Sequence, residues 1–565
     1  MRALVLCFCL LAASAAFAGG GPENVLVVQD DLCPESAEIA RYYMEKRDVP
    51  RHHLMHVQIP GGPRPKKKKK DPKNPKAPEV EVDDDGWDAK PSFASYAEFE
   101  TQLVLPVKRW IESHPEDHIT IVVLTRGVPV CAPVKNAKAA EILRATTHQL
   151  AGMFCEKDEI RSGPEGNVGV GSPFYKVDES IDWKKPLKGE WPMLCVGYLD
   201  AFTVADIKKA IDLSIVSDGK RPDGTLYLGM SKVGDPRGMY DPSFPAVAEY
   251  AKKLSLKAEI VDHREDRILL EGRRDVATYA YGQANWDEAF PAKNSYQPGC
   301  LVDNLTSVAL TWRAFVDGSS GGQTPMTHFL RAGATVVHGC VREPTTGAWD
   351  PGWIHIQRYL DGYNVIESFF MGHPWFPWMN LVAGDPLTQP FALRPTVKAD
   401  VTGAKGAWKL KATAIATRPD AKIVSFELFI DGVKAGDLKD GEEFDPGAAF
   451  DPAVNQWRVV ATDDSKFRTQ GSASSAPLKK GPSRVTAKLD GYVKGSAALR
   501  LTADTGEPVV TWVADGAKEK VGTVKGLRVS VQFDDDTVPH LIELWVRNAK
   551  TEMPPIRVEV PAKKK

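Results

Sequence analysis

The side chains of this sequence best placed to do chemistry sit just beyond short apolar runs. Asp30 and Asp31 follow Val25-Leu26-Val27-Val28, Arg126 follows Val122-Val123-Leu124, and Asp200 follows the run that begins at Cys195. Asp235, then Tyr281 with Trp286 and Asp287, and finally Arg342-Glu343 occupy equivalent places further on. If those runs are strands of one parallel sheet, their carboxyl ends form a rim on which a mixed set of charges binds a polar or peptidic ligand. The same residues also suit helix caps and rim ion pairs. Cys300 is a candidate nucleophile, but a thiol without a neighbouring base is only slightly ionised at neutral pH. As a disulfide partner or a small buried hydrophobe it does no chemistry.

Other motifs fit their chemistry less well. Gly318-Ser319-Ser320-Gly321-Gly322 has the pattern of a nucleophile elbow, with His338, His355 and His373 downstream, but Gln323-Thr324-Pro325 delays the helix that must leave the elbow at once. A Gly/Ser loop is the better account. His52, His53 and His56 lack a visible third fixed ligand for a metal and read as a surface turn after Pro50. Gly163 to Gly171 lacks the Gly-Lys-Ser/Thr ending of a phosphate loop, and Asp83-Asp84-Asp85-Gly86 lacks calcium-loop spacing. No metal and no cofactor is expected.

The elements that must position these residues change character along the chain. From Asn24 to about Phe391, apolar strands alternate with amphipathic helices, the grammar of a doubly wound, mainly parallel α/β sheet of about seven strands. The stretch at about 60–91 is rich in Pro, Lys and Asp with little to bury, and is expected to be a disordered insertion. After Pro395 come strands without helices, with a hairpin signal at Asp431-Gly432. Residues 395–478 and 483–562 each have the length of an immunoglobulin-like β-sandwich, joined through Lys479-Lys480-Gly481-Pro482. At 565 residues the chain is long enough for several such units.

Arg2, the apolar run from Ala3 to Ala13 and Ala16-Phe17-Ala18 form a secretory signal peptide cleaved after Ala18, so the protein is expected outside the cytoplasm, secreted or periplasmic. No later run is apolar enough to span a bilayer. Lys plus Arg total 72 against 74 Asp plus Glu, a balance that argues against a nucleic-acid partner. Of eight cysteines, six lie beyond the signal peptide, and Cys131 with Cys155 is the nearest plausible disulfide pair across a polar loop.

Several segments, in order, resemble the catalytic domain of the gingipain-type cysteine peptidases, of caspase-like fold: Thr278-Tyr279-Ala280-Tyr281-Gly282, Pro298-Gly299-Cys300, Gly333 to Gly339 and Asn380 to Leu387. The chain is more closely similar to a functionally uncharacterised family of secreted bacterial proteins. The landmarks of that likeness are Ser36 to Tyr43, Arg126-Gly127-Val128-Pro129 and Asp303 to Ser307, and it covers about residues 23 to 392. The peptidase resemblance implies a His-Gly step at the end of one strand and a nucleophilic Cys at the end of the next. Here the matching stretch reads Tyr281-Gly282-Gln283, with no histidine. Two functions follow. One is a diverged, non-catalytic scaffold whose rim, with Asp30, Arg126, Asp200, Tyr281, Trp286 and Glu343, binds a peptide or protein of the cell envelope. The other is a cysteine hydrolase using Cys300 with a displaced base such as His263 or His338.

Overall fold

The computed structural model describes residues 20–562 apart from 61–65, 70–79, 84–92, 136–141, 157–169, 183–190, 263–269, 319–322, 351, 454, 477–478, 481–484, 494–495, 504–508, 515–519, 524–527, 533–539, 549–550 and 553–555. The stretch expected to be a signal peptide, Ser319 and Ser320 of the elbow-like motif, and His263 lie outside the described residues.

Ten strands make the main sheet: β1 (Val25–Asp30), β2 (Leu54–Val57), β3 (Ile121–Thr125), β4 (Cys195–Leu199), β5 (Thr225–Gly229), β6 (Lys257–Val261), β7 (Val276–Tyr281), β8 (Tyr296–Asn304), β9 (Val336–Cys340) and β10 (Asn380–Gly384), in the order β6-β5-β7-β8-β9-β10-β4-β3-β1-β2. Every residue of β1, β3, β4, β5, β7, β9 and β10 is buried, so both faces are covered, which is why these strands read as continuous apolar runs. The described α-helices of six residues or more are α1 (Pro34–Arg47), α2 (Leu105–Ser113), α3 (Thr146–Ala151), α4 (Val204–Ser217), α5 (Phe244–Lys253), α6 (Thr327–Ala332), α7 (Ile354–Asp361) and α8 (Val365–Met371). Pro34 opens α1 at a position whose amide needs no partner, and the Thr203 hydroxyl caps α4 by accepting from the Asp206 amide at 3.1 Å.

The sheet is mainly parallel, as expected, with one reversed strand. β6, β5, β7, β8 and β9 run parallel to one another, as do β4, β3, β1 and β2. Between these groups β10, which returns to the sheet after α7 and α8, is antiparallel to β9, with Cys340 paired to Asn380 and Val336 to Gly384. The two groups run the same way. Arg47, at the end of α1 and so beside the start of β1, donates to Asp385, which lies next to the start of β9, and Cys131 beyond β3 meets Val341 beyond β9. The strand order has switch points between β1 and β3 and between β5 and β7, and both open on the same rim.

Beyond Pro395 the described strands pair antiparallel, except that Lys479–Lys480 runs parallel to its partner. One three-stranded sheet (Thr396–Thr402, Lys409–Ile415, Glu443–Phe444) and one four-stranded sheet (Val433–Asp437, Ile423–Ile430, Trp457–Asp463, Gln470–Ser474) share a core that includes Leu410, Phe426, Leu428 and Val459. The hairpin turn falls at Asp431-Gly432, with φ of 52° and 87°. The final residues form two further sheets. Lys479–Lys480, taken from sequence as linker, pairs with Thr551–Glu552. Within the insertion expected to lack regular structure, Lys66–Lys69 and Val80–Asp83 pair antiparallel.

Candidate functional site

The residues that the sequence offered as one rim fall into two groups along it. Asp30, Asp31, Arg126 and Asp200 stand at the carboxyl ends of β1, β3 and β4, toward one end of the rim. Tyr281, Trp286, Asp287, Arg342 and Glu343 follow β7 and β9, toward its other end.

At the first end the side chains are already satisfied. Asp30 is 3% exposed and accepts from the amides of Leu32 (3.1 Å) and Ile59 (3.2 Å). Burial pushes its carboxyl up from the ordinary range. Arg126 donates to Asp200 (2.9 Å) and to the carbonyls of Ala201 and Phe202. Burial raises the Asp200 carboxyl to about 6 against the pull of that guanidinium. A Cβ on Gly127, at φ 99°, would stand 2.6 Å from Asp30 Oδ2, so the β3 turn closes directly over the Asp30 carboxyl. Asp31 is held from within the chain: its carboxylate meets His56 Nδ1 at 2.9 Å, and Arg557 of the last β-module lies 3.8 Å away. His56 Nε2 in turn meets Glu543 at 3.3 Å. The C-terminal module therefore occupies this end of the sheet, where the sequence placed a ligand.

At the second end, Tyr281 is fully buried, stacked on Tyr279 with its hydroxyl against Met326. Trp286 is 8% exposed and packs edge-on against Phe290. Asp287 and Glu343 are exposed. The open features of this end lie after β5, where Val233 and Met239 are 72% and 56% exposed beside Arg237.

Cys300 is not at the end of a strand. It lies inside β8, 0% exposed, and burial alone drives its thiol far above the usual range. The register Asp303↔His338 places His338 on the face opposite Cys300, because successive side chains alternate across a strand. Cys33 is the half-buried exception among the six thiols, raised by burial to about 11. Cys131, expected in a disulfide with Cys155, points its sulfur at the Val341 carbonyl instead.

The polar cluster that sequence reasoning missed surrounds Asp303. His338 Nδ1 stands 3.0 Å from Asp303 Oδ1, while Asp303 Oδ2 touches His355 Nε2. The three residues come from β8, β9 and α7 and are 0%, 2% and 7% exposed. The Asn380 amide nitrogen meets His338 Nε2 at 3.1 Å, and the His373 ring lies 5.9 Å from the His338 ring. Burial pushes the Asp303 carboxyl upward, yet the two facing imidazoles outweigh it and hold it well below the ordinary range. His148, whose Nδ1 accepts from the Trp378 amide, is lowered by burial to about 3. A histidine inside the buried run Val336-Val337-His338 was the one sequence signal for this cluster, since an apolar strand tolerates such a side chain only with a partner.

His52 and His53 are buried rather than on a surface turn, at 1% each, and Asp117 supplies the third group that the sequence neighbourhood lacked. Asp117 meets His52 Nε2 at 3.1 Å and His53 Nε2 at 3.6 Å. His56 belongs to the separate Asp31–Glu543 chain.

No known family model and no curated protein matches the chain. Among solved structures it is similar to a segment of two fibronectin type-III domains from chicken tenascin, at 16% identity over 30% of this chain and 98% of that one, with a TM-score of 0.13. It is also similar to fibronectin(III)-like modules of Clostridium thermocellum CbhA, at 14% identity over 30% and 94%, with a TM-score of 0.12. Likenesses this slight say nothing about activity. Among the described residues, no helix is long and apolar enough to cross a membrane.

Proposed function

We propose that this chain is an exported, non-hydrolytic binding protein with a gingipain-like, caspase-type α/β scaffold, braced by immunoglobulin-like modules, that takes a peptide or another envelope component. The observation that carries the reading is the state of Cys300. A thiol nucleophile needs an approach path for a carbonyl and a base to deprotonate it. Cys300 is sealed inside β8, and the only influence that moves its thiol is burial, which disfavours the thiolate.

Binding is assigned to the β5/β7 crevice, the switch point that the C-terminal module leaves uncovered. Arg237, Gln283 and Asp287 supply polar groups there, and Met239 and Val233 supply exposed apolar surface. That mixture suits an extended peptide better than a small anion.

The test exposes the mature protein to mixed peptides and to a thiol-directed probe, with binding read on a peptide array. The expected result is no turnover, no labelling of Cys300 until the protein is denatured, and array binding that Met239→Asp weakens at least tenfold. Peptide cleavage abolished by Cys300→Ala would replace this reading with a cysteine hydrolase. Array binding indifferent to Met239→Asp would remove the assigned crevice.

A further inference from the structure

The Asp303 cluster has features that an ordinary buried ion pair does not require. Its three ligand-capable atoms, one each from Asp303, His338 and His355, lie within 4.8 Å of one another. Two imidazoles and one carboxylate around a zinc ion, with bonds of about 2.0–2.2 Å, would have their donor atoms about 3.3 Å apart in tetrahedral geometry. The Asp303 Oδ1 to His338 Nδ1 separation is already 3.0 Å. Asp303 and His338 are register partners on adjacent strands, and His355 is in the first turn of α7, so the three come from rigid elements.

Two further observations point to a missing cation. Asp303 Oδ2 and His355 Nε2 touch without hydrogen-bond geometry, which leaves both as buried atoms with no hydrogen-bond partner. An ion seated between them would provide one for each. The second observation is Asn380, whose amide nitrogen faces His338 Nε2 while its buried Oδ1 has no hydrogen-bond partner. A half-turn of that amide moves no heavy-atom position, lets Oδ1 accept from Nε2–H and frees the Nδ1 lone pair of His338. This is the outer-shell contact that fixes the ligating tautomer of a metal-bound histidine.

We propose that Asp303, His338 and His355 bind one divalent transition metal ion, zinc by ligand type, in a buried site that ties β8, β9 and α7 together. Nitrogen-rich ligands favour zinc over magnesium or calcium, which prefer all-oxygen sites. Three protein ligands leave the fourth tetrahedral position to a water, and the burial of all three keeps that position away from bulk solvent.

The test loads the full-length protein with zinc, removes excess metal and counts bound ions by elemental analysis. The expected result is that Asp303→Asn and His355→Gln each lose one molar equivalent relative to the unsubstituted protein, while His52→Gln, in the separate Asp117 cluster, keeps that equivalent. No tightly held zinc, or zinc unaffected by Asp303→Asn and His355→Gln, overturns the proposal. Should those variants fail to fold, the cobalt-loaded His52→Gln protein decides, because its Asp117 cluster retains only one imidazole. An X-ray absorption spectrum with two imidazole ligands supports the site, and thiolate or fully hydrated cobalt removes it.

Discussion

Raising the pH should undock the C-terminal β-module, and His56 sets the size of the effect. Its ring is 14% exposed and lies between Asp31 at 2.9 Å and Glu543 at 3.3 Å, with Arg41 3.5 Å and Arg557 2.8 Å from the same glutamate and Gln29 3.3 Å from the imidazole. Burial alone would lower its pKa, but the two carboxylates overcome that and raise it from 6.5 to about 9. A group whose pKa rises on folding stabilises the folded state fully below its unfolded pKa and loses that contribution as pH climbs through the folded value. The contribution is therefore complete below about pH 6.5 and gone above about pH 9. At about 1.4 kcal/mol per unit the shift is worth at most about 3 kcal/mol, and less in practice because Arg41 and Arg557 continue to neutralise Glu543. For a module of this size that corresponds to a fall of roughly ten degrees in its melting midpoint. Calorimetry at pH 6.5 and 9.5, with limited proteolysis of the C-terminal module alongside, measures it. His56→Gln should remove most of the pH dependence while lowering stability at the acidic end. Equal losses in the unsubstituted protein and the variant would refute the assignment to His56.

Two other substitutions probe packing, one inside the α/β domain and one between it and the first β-module. Arg47 donates to Asp385 at 2.7 Å and also contacts Asp218 and Ser214, so Arg47→Met strands a carboxylate that is 0% exposed and should cost about 3–5 kcal/mol in a urea titration. Phe467 is 6% exposed, with its ring 4.6 Å from that of Tyr363 and under the Arg418 guanidinium at 3.8 Å. Phe467→Ala should cost about 3 kcal/mol or more and expose the segment near Arg394 to proteases, and an unchanged digestion pattern would show that the ring does not hold the first β-module in place.

The parallel part of the sheet was legible in the sequence, and one strand's direction was not. Apolar runs bounded by turn residues disclosed β1, β3, β4, β5 and β7 nearly to the residue, but nothing local tells an apolar strand which way its neighbour runs. Asn380–Gly384 is five residues long, and its direction, antiparallel to β9, depends on how α7 and α8 carry the chain back to the sheet.

The change from alternating strands and helices to strands alone near Pro395, the Asp431-Gly432 turn and the missing histidine beside Gly282 were all legible in the sequence, because each depends on residues adjacent along the chain. The Asp303–His338–His355 cluster, the Asp117 partner of His52 and His53, and the capture of Asp31 by the last module were not. Their members are separated by 17 to 526 residues, and only the folded sheet, with its register, brings such distant side chains within reach of one another.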